Sequence, residues 1–421
     1  MCGLATPASG QSRARLADHY IQRGWGTADG LPQNTVTSMV QTRDGYLWLG
    51  TFGGLVRFDG HAFTVFDPGN TPGLFSSRIV SLHEDRAGRL WIGSEGGLTR
   101  LEGGRFTSYT SRDGLPETGV AAIVDDRRGR TWITGSGLLR SEGAAFSRFD
   151  IKQMHIATGD LAEAANGDLW VTARGGVARV AGDEVVTFVE RFGEPEHLLI
   201  TSTQQVLVGR PGLASWNGSR FVDVRLPLTA GQYGEITALA EDHDGSIWIG
   251  TSRAGVLRWH DGAFESYDAS DGLTGNFVRS LLVDRDGHLW IGTDVGGLNR
   301  LKRRRVHSYQ RPDSVEQSIG PIVGDGDGGL WIGATCGGLL DFHGGTFRVY
   351  ELRDGLPNPC IWALHRDADG TLWIGTMGGG SRASATAGSK RSTPTTACRI
   401  RWCTSSCAIA AAICGWAPTA A

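Results

Sequence analysis

The sequence predicts an all-β protein, a β-propeller of four-stranded blades, on three observations. Tryptophan-centred motifs recur at a fixed spacing, the residues between them alternate with the period of strands, and glycine-rich turns separate the alternating runs. Glycine supplies 63 of the 421 residues, about twice the usual share, so turns are frequent. Hydrophobic residues make up 40%, charged residues 20%, and the formal net charge is −3. This is the balance of a folded chain without the basic excess of a nucleic-acid binder. No run of 18 apolar residues occurs, so this stretch encodes no transmembrane helix.

The motif opens as LWLG at 47–50 and continues as LWIG at 90–93, TWIT at 131–134, LWVT at 169–172, IWIG at 247–250, and LWIG at 289–292, 330–333 and 372–375. Its tryptophans, Trp48, Trp91, Trp132, Trp170, Trp248, Trp290, Trp331 and Trp373, fall 43, 41, 38, 78, 42, 41 and 42 residues apart. The double gap contains a degenerate copy, VLVG at 206–209, with Leu207 in the tryptophan slot. A period near 41 residues suits propeller blades or paired helices, and the alternation decides for blades. In the seventh unit 277–283 alternates, Asp284-Arg285-Asp286-Gly287 turns, 289–292 is the tryptophan strand, and Gly296-Gly297 turns again. Residues 298–301 then read as a third strand and 306–309 as a fourth. Asp-Gly and Gly-Gly pairs between β-branched and aromatic runs mark hairpins. The tryptophans are assigned to packing between blades, where losing one side chain costs about 3–5 kcal/mol.

A second motif follows the fourth strand: GLPQN at 30–34, DGLPE at 113–117, DGLTGN at 271–276 and DGLPN at 354–358. Residues 19–25 precede the first copy as 106–109 precede the second, so the N-terminus reads as an orphan outer strand. Such a strand completes the last blade and joins the two chain ends by hydrogen bonds, leaving no open edge.

These repeats, V-x-S-h-x-x-D-x-x-G-x-L-W-I-G-T-x-x-G-G-L-x-R followed by DGLP, resemble the two-component regulator propeller family over about residues 19–380. The resemblance implies two seven-bladed propellers in tandem in the periplasm. It also implies a following immunoglobulin-like domain, membrane helix and histidine kinase or diguanylate cyclase, none of which this chain contains. The expected function is therefore the ligand-sensing region of a bacterial membrane signalling protein, truncated before its membrane helix and output domain, with no catalysis of its own. The expected ligand is a small molecule or glycan, with no cofactor and no metal. Contact with the membrane runs through downstream segments, and a homodimer of the full-length receptor is one expectation. The alternatives are a free-standing propeller enzyme of the lyase type and a protein-interaction propeller.

After the seventh unit the linker changes to Lys302-Arg303-Arg304-Arg305, and RPDSV at 311–315 replaces DGLP. Residues 19–310 thus read as one seven-bladed ring and 311–380 as two blades of an incomplete second ring, with the basic run a solvated outer edge. Residues 1–18 contain no apolar signal-peptide core and are assigned as a remnant of an export signal. From 381 the composition breaks: Leu, Val, Asp and Glu vanish, and Cys398, Cys403, Cys407 and Cys414 appear. Read one frame over, the codons for 395–400 permit a DGLP motif and those for 408–419 a tryptophan strand, at the in-frame spacing. Residues 381–421 are therefore expected to be a frameshifted tail and not a native domain. Whether Cys336 and Cys360 pair is left open.

The turns Asp242-His243-Asp244-Gly245, Asp284-Arg285-Asp286-Gly287, Asp325-Gly326-Asp327-Gly328 and Asp367-Ala368-Asp369-Gly370 look like half of a calcium loop. They lack its bidentate Glu and are read as structural turns, Asp closing the turn and Gly accepting positive φ. No HExxH, GxSxG or P-loop motif occurs. Because strands alternate in direction, the loop after DGLP and the turn between second and third strands share one rim. That rim collects Asn34, Phe52, Glu95, Glu117, Arg174, Arg210, Arg253, Asn276, Asp294 and Asn358, with Met377. Varied side chains on a fixed scaffold are what a recognition surface needs, and the mouth of the central pore is the default ligand site.

Overall fold

The computed structural model describes residues 17, 19–115, 119–142, 145–149, 159–173, 175–190, 196–209, 211–304, 309, 318–377, 382–384 and 401–403. The chain divides into two compact units, Met1–Arg305 and Val306–Ala421. Both are built of strands; the α-helix among the described residues is the single turn Ala230–Tyr233.

Antiparallel four-stranded sheets follow one another through the first unit. The first sheet runs Val36–Gln41, Leu47–Thr51, Gly54–Phe58 and Phe63–Phe66, and the second Ile79–Glu84, Leu90–Ser94, Gly97–Glu102 and Arg105–Tyr109. Three more begin at Ala122–Asp125, Leu161–Glu163 and His197–Ile200, and the sixth comprises Ile236–Glu241, Ile247–Thr251, Val256–His260 and Ala263–Tyr267. The seventh has Val278–Val283, Leu289–Thr293 and Leu298–Arg303 from its own repeat, and its outer strand is Tyr20–Trp25 from the N-terminus. Tyr20 pairs with Arg303 and Trp25 with Leu298 in an antiparallel ladder, so the orphan strand takes the outer edge expected for it. This corrects the reading of 306–309 as the fourth strand of that unit: the edge it would need is occupied by Tyr20–Trp25, and 306–308 lie outside the described residues.

The hydrophobic core is distributed between sheets. Each seam is a cluster that joins the tryptophan-slot residue of one sheet to apolar side chains of the next. Trp48 packs with Ile79 and Ile92, Trp91 with Ile123 and Ile133, Trp132 with Leu161 and Val171, and Trp170 with Val206 and Val208. Leu207 packs with Ile236 and Ile249, Trp248 with Val278 and Ile291, and Trp290 with Val36 and Leu49 of the first sheet. The smaller Leu207 is fully buried in its slot, so the degenerate copy keeps the packing role without the indole. Trp132 and Trp248 are 1% and 0% exposed.

The indole nitrogen also needs a partner when buried, and the hairpin turn supplies it. Trp91 Nε1 donates to Asp85 Oδ2 at 2.8 Å, Trp132 to Asp126 at 2.8 Å, Trp248 to Asp242 at 3.0 Å and Trp290 to Asp284 at 2.7 Å. The other oxygen of Asp85 accepts the backbone N–H groups of Ala87 and Arg89. One carboxylate thereby closes the turn and fixes the tryptophan six residues on. Burial pushes the Asp85 and Asp126 carboxyls up. The indole, the backbone N–H groups and the guanidinium of Arg89 or Arg130 outweigh it and hold both below the ordinary value.

In the second unit one four-stranded sheet, Ile319–Gly324, Leu330–Ala334, Gly338–His343 and Thr346–Tyr350, is followed by the pair Ile361–Arg366 and Leu372–Thr376. Trp331 packs against Ile361, Leu372 and Ile374 of that pair, and Trp373 Nε1 donates to Asp367. Cys336 and Cys360 form a disulfide between the two sheets. In the tail, Arg382–Ser384 pairs with Arg401–Cys403; its remaining residues, like 1–16 and 18, lie outside the described residues. No helix among the described residues is long and apolar enough to cross a membrane.

Candidate functional site

Two turns build the rim. In the first, the DGL motif forms one turn of 3-10 helix: Asp29 Oδ2 accepts the Gly26 N–H, and Asp113 and Asp354 accept those of Thr110 and Glu351. Gly30 follows at φ 103°, in the left-handed region that glycine enters without strain. The next residue, Leu31, Leu115, Leu273 or Leu356, is buried as a plug. In the second, the turn after each tryptophan strand bonds to the segment leading into the first strand. Glu95 N–H reaches Arg78 O, Asp294 N–H reaches Phe277 O, and Met377 N–H reaches Cys360 O. The two turn types therefore lie side by side, as alternating strand direction requires.

The side chains at the expected positions do different things. Phe52 and Glu95, from neighbouring sheets, are brought together by Arg78: its guanidinium carbon stands 4.0 Å over the Phe52 ring, and its Nε is 2.6 Å from Glu95 Oε2. The hydrogen bond that Arg78 donates to Glu95 raises its pKa further. Asp294 repeats the theme, with Arg279 Nε at 2.8 Å and the Arg279 guanidinium 4.8 Å over Phe277. The Asp294 carbonyl also accepts the Thr35 hydroxyl of the first sheet. Arg253 is exposed and donates to Gly231 O at 3.3 Å.

Asn34 and Asn276 turn inward: their Oδ1 atoms accept the backbone N–H of Thr27 and Ala269, holding the DGL turns. Asn358, in the second unit, donates to Met377 O and accepts from Cys360 N–H. Glu117, Arg174 and Arg210 lie outside the described residues. Arg78, Arg279 and Phe277 were missed from the sequence. Their signal was an arginine beside the start of a first strand, with an acid one residue past the next tryptophan strand. A separate cleft of about 640 Å³ opens between the outer strands of the first and second sheets, lined by Val65, Phe66, Pro72, Arg105 and Phe106.

The rim thus offers two cation-on-aromatic stacks, each closed by a carboxylate. Such planar, solvent-accessible groups can meet a ligand with hydroxyls and a flat or charged face. Among the residues described, the metal-capable group is Asp284, Asp286 and His288, at the opposite rim.

Five segments, 30–53, 73–96, 231–253, 272–295 and 355–378, match the family described as two component regulator propeller. No curated protein sequence matches the chain. Among solved structures, the chain is similar to the extracellular domain of a hybrid two component system from B. thetaiotaomicron. The two are 22% identical with a TM-score of 0.61, over 87% of this chain and 53% of that one. PorZ, a surface component of the type-IX secretion system of Porphyromonas gingivalis, is 16% identical with a TM-score of 0.54, over 89% of this chain and 60% of that one. A virginiamycin B lyase from Staphylococcus aureus is 11% identical with a TM-score of 0.58, over 68% of this chain and 100% of that one. At these identities the likeness is one of fold. The chain spans about half the length of the extracellular domains it matches. On its sheets the chain is a β-propeller protein, and it carries repeats that match the two-component regulator propeller family.

Proposed function

We propose that residues 19–310 form a closed ring of seven blades and that 311–380 begin a second ring. The whole serves as the ligand-sensing region of a bacterial membrane signalling protein, of the two-component or diguanylate cyclase type, in the periplasm. Closure is supported by Ser280 Oγ donating to Val36 O at 2.9 Å and by the Trp290 cluster, both of which join the seventh sheet to the first. The Cys336–Cys360 disulfide suits an oxidising compartment.

The observation that carries the functional reading is a contrast inside one repeat. The tryptophan-slot residue does the same job at every seam, whereas the rim position four residues beyond it is Phe52, Glu95, Ser252 or Asp294 in turn. A scaffold that is constant where it packs and varied where it is exposed is arranged for recognition. The ligand expected is a small molecule or glycan.

A thermal-shift screen with a panel of neutral and acidic oligosaccharides tests this. A ligand present at about 100 times its Kd adds about 2.7 kcal/mol of stability, and Arg253→Ala or Phe52→Ala should abolish that gain. A shift that both variants retain places binding away from the rim, and no shift across the panel removes the glycan reading. The frameshift reading of 381–421 is carried as a proposal as well. Sequencing the DNA across the Gly380 codon tests it, and a confirmed frame with no blade motif one base over refutes it.

A further inference from the structure

In the first strand of each sheet of the first unit, one residue faces the last residue of the tryptophan-slot motif, at the end of the sheet where the DGL turns lie. In five sheets it is small: Ser38, Ser81, Ala122, Ala238 and Ser280. The serines tie the seam to the next sheet. Ser81 Oγ donates to Val120 O at 3.1 Å, Ser280 Oγ to Val36 O at 2.9 Å, and Ser38 Oγ accepts the Leu82 N–H at 3.0 Å. In the fourth and fifth sheets the same position holds Asp160 and His197, as the Thr172 N–H donating to Asp160 O at 2.9 Å and the pairing of His197 with Gly209 show.

Asp160 keeps the tie that Ser38 makes, its Oδ2 accepting the Leu198 N–H at 3.2 Å, and the same oxygen stands 3.3 Å from His197 Nδ1 across the seam. An ionised carboxylate only accepts, so Nδ1 carries a proton. Burial pushes the His197 pKa down. The hydrogen bond and charge of Asp160, with the charge of Glu196, outweigh it and hold the imidazole above its ordinary value. In the imidazolium so favoured, Nε2 donates as well. The His197 and Asp160 side chains are 26% and 39% exposed, and His197 Nε2 and Asp160 Oδ1 have no partner among the described residues. The seam itself uses one carboxylate oxygen and one backbone N–H, so the imidazole and the second oxygen are surplus to it. On the other side of His197 stands Ile236 of the sixth sheet, with Ala238 beyond it and the exposed Glu235 before it; the strand start carries no cation.

We propose that Asp160 and His197 are the hydrogen-bonding pair of the ligand site and take a neutral, polyhydroxylated ligand, whose hydroxyls accept from His197 Nε2–H and donate to Asp160 Oδ1. This rests on the reading of the DGL rim as a recognition surface. The carboxylates of Asp160 and Glu196 repel an acidic ligand. Deprotonation turns Nε2 from a charge-assisted donor into an acceptor, so affinity is full below the folded His197 pKa and falls as pH rises through it.

The test is isothermal titration of the full chain between about pH 5 and 9 with hexasaccharides of glucose, xylose, mannose and galactose, and with a galacturonic acid hexasaccharide as the acidic control. A neutral member should bind, more tightly than the acidic control, and lose affinity toward high pH. His197→Ala should weaken it about tenfold or more, the loss expected for one charge-assisted hydrogen bond, and should remove the pH dependence. Asp160→Ser should move the loss of affinity to lower pH. Both variants install residues that the repeat already carries at this position, Ala122 and Ser38, so the seam keeps its packing and its tie. Binding of a neutral member that is independent of pH, or equal in the native chain and His197→Ala, or weaker than that of the acidic control, overturns the proposal and leaves the rim reading standing. No binding by any member at any pH overturns both.

Discussion

Leu289 and Leu330 hold the same place in the repeat, the residue before the tryptophan, yet they are 1% and 36% exposed. Val278 and Ile319, which open the first strands of the same two sheets, are 0% and 49% exposed. The Asp turn and the LWIG strand are common to both sheets, and what stands in front of each sheet differs. Val278 is covered by Trp248 of the preceding sheet. Among the described residues of the second unit, no tryptophan-bearing sheet precedes Ile319. The repeat encodes a sheet, and the neighbour encodes its burial. This is the behaviour of a repeat array, where stability is a sum of intrinsic and interface terms.

The sharpest way to break the comparison is to remove the interface side chain itself. Trp248→Ala should cost the first unit about 3–5 kcal/mol in chemical denaturation. The same change at the half-buried Trp373 should cost clearly less, and equal costs would refute the role given to the neighbour. Next, Leu289→Ala should cost about 2–5 kcal/mol, against about 1 kcal/mol or less for Leu330→Ala. Amide hydrogen exchange in the strands 289–293 and 330–334 separates the two readings by region.

A smaller effect is expected at the turn. Asp126→Ala removes a charged acceptor from the Trp132 indole and should cost about 1.5–3 kcal/mol, seen as a red-shifted tryptophan emission at lower denaturant. The smallest effect is a pH dependence of opposite sign at two kinds of carboxyl. Asp85 and Asp126 have lowered pKa values, so their contribution is present above the unfolded value near 4 and lost as pH falls through the folded values. Asp341 is raised by burial and by Asp325; its contribution is present below the unfolded value and lost as pH rises through the folded one. Asp325 and Asp369 of the second unit are lowered as Asp85 is, so the opposite signs belong to single carboxyls: Asp85→Asn and Asp341→Asn should change the pH dependence of unfolding between about pH 3 and 6 in opposite directions.

The tryptophan array was legible because its period is long, regular and tied to strand alternation; even Leu207 could be placed by spacing alone. The N-terminal strand was legible because GLPQN follows it as DGLP or DGLTGN follows the outer strands Arg105–Tyr109, Ala263–Tyr267 and Thr346–Tyr350. Two candidates for one edge were not separable, since Val306–Tyr309 and Tyr20–Trp25 carry the same alternation and only pairing with Leu298–Arg303 chooses. The Asp-to-Trp bond was visible as a six-residue spacing but was read as turn chemistry alone. The stacks at Arg78 and Arg279 were hidden for a different reason. Each joins residues from separate turns, and Phe52 and Arg78 meet across a seam that no local pattern marks.

The pairing of Tyr20 with Arg303 also sets a clock. Within this unit Tyr20–Trp25 is made before every other strand yet is the last to find its place, because its partner is made some 280 residues later. At translation rates of about 5–20 residues per second the strand waits roughly a quarter of a minute to a minute, with Tyr20 and Trp25 unseated. Joining ends so far apart carries a loop-closure cost of about 5 kcal/mol beyond the local constant. Every internal sheet can form as it emerges, but the final latch is a late, non-local event. Folding of the whole first unit therefore proceeds at the pace of that single strand.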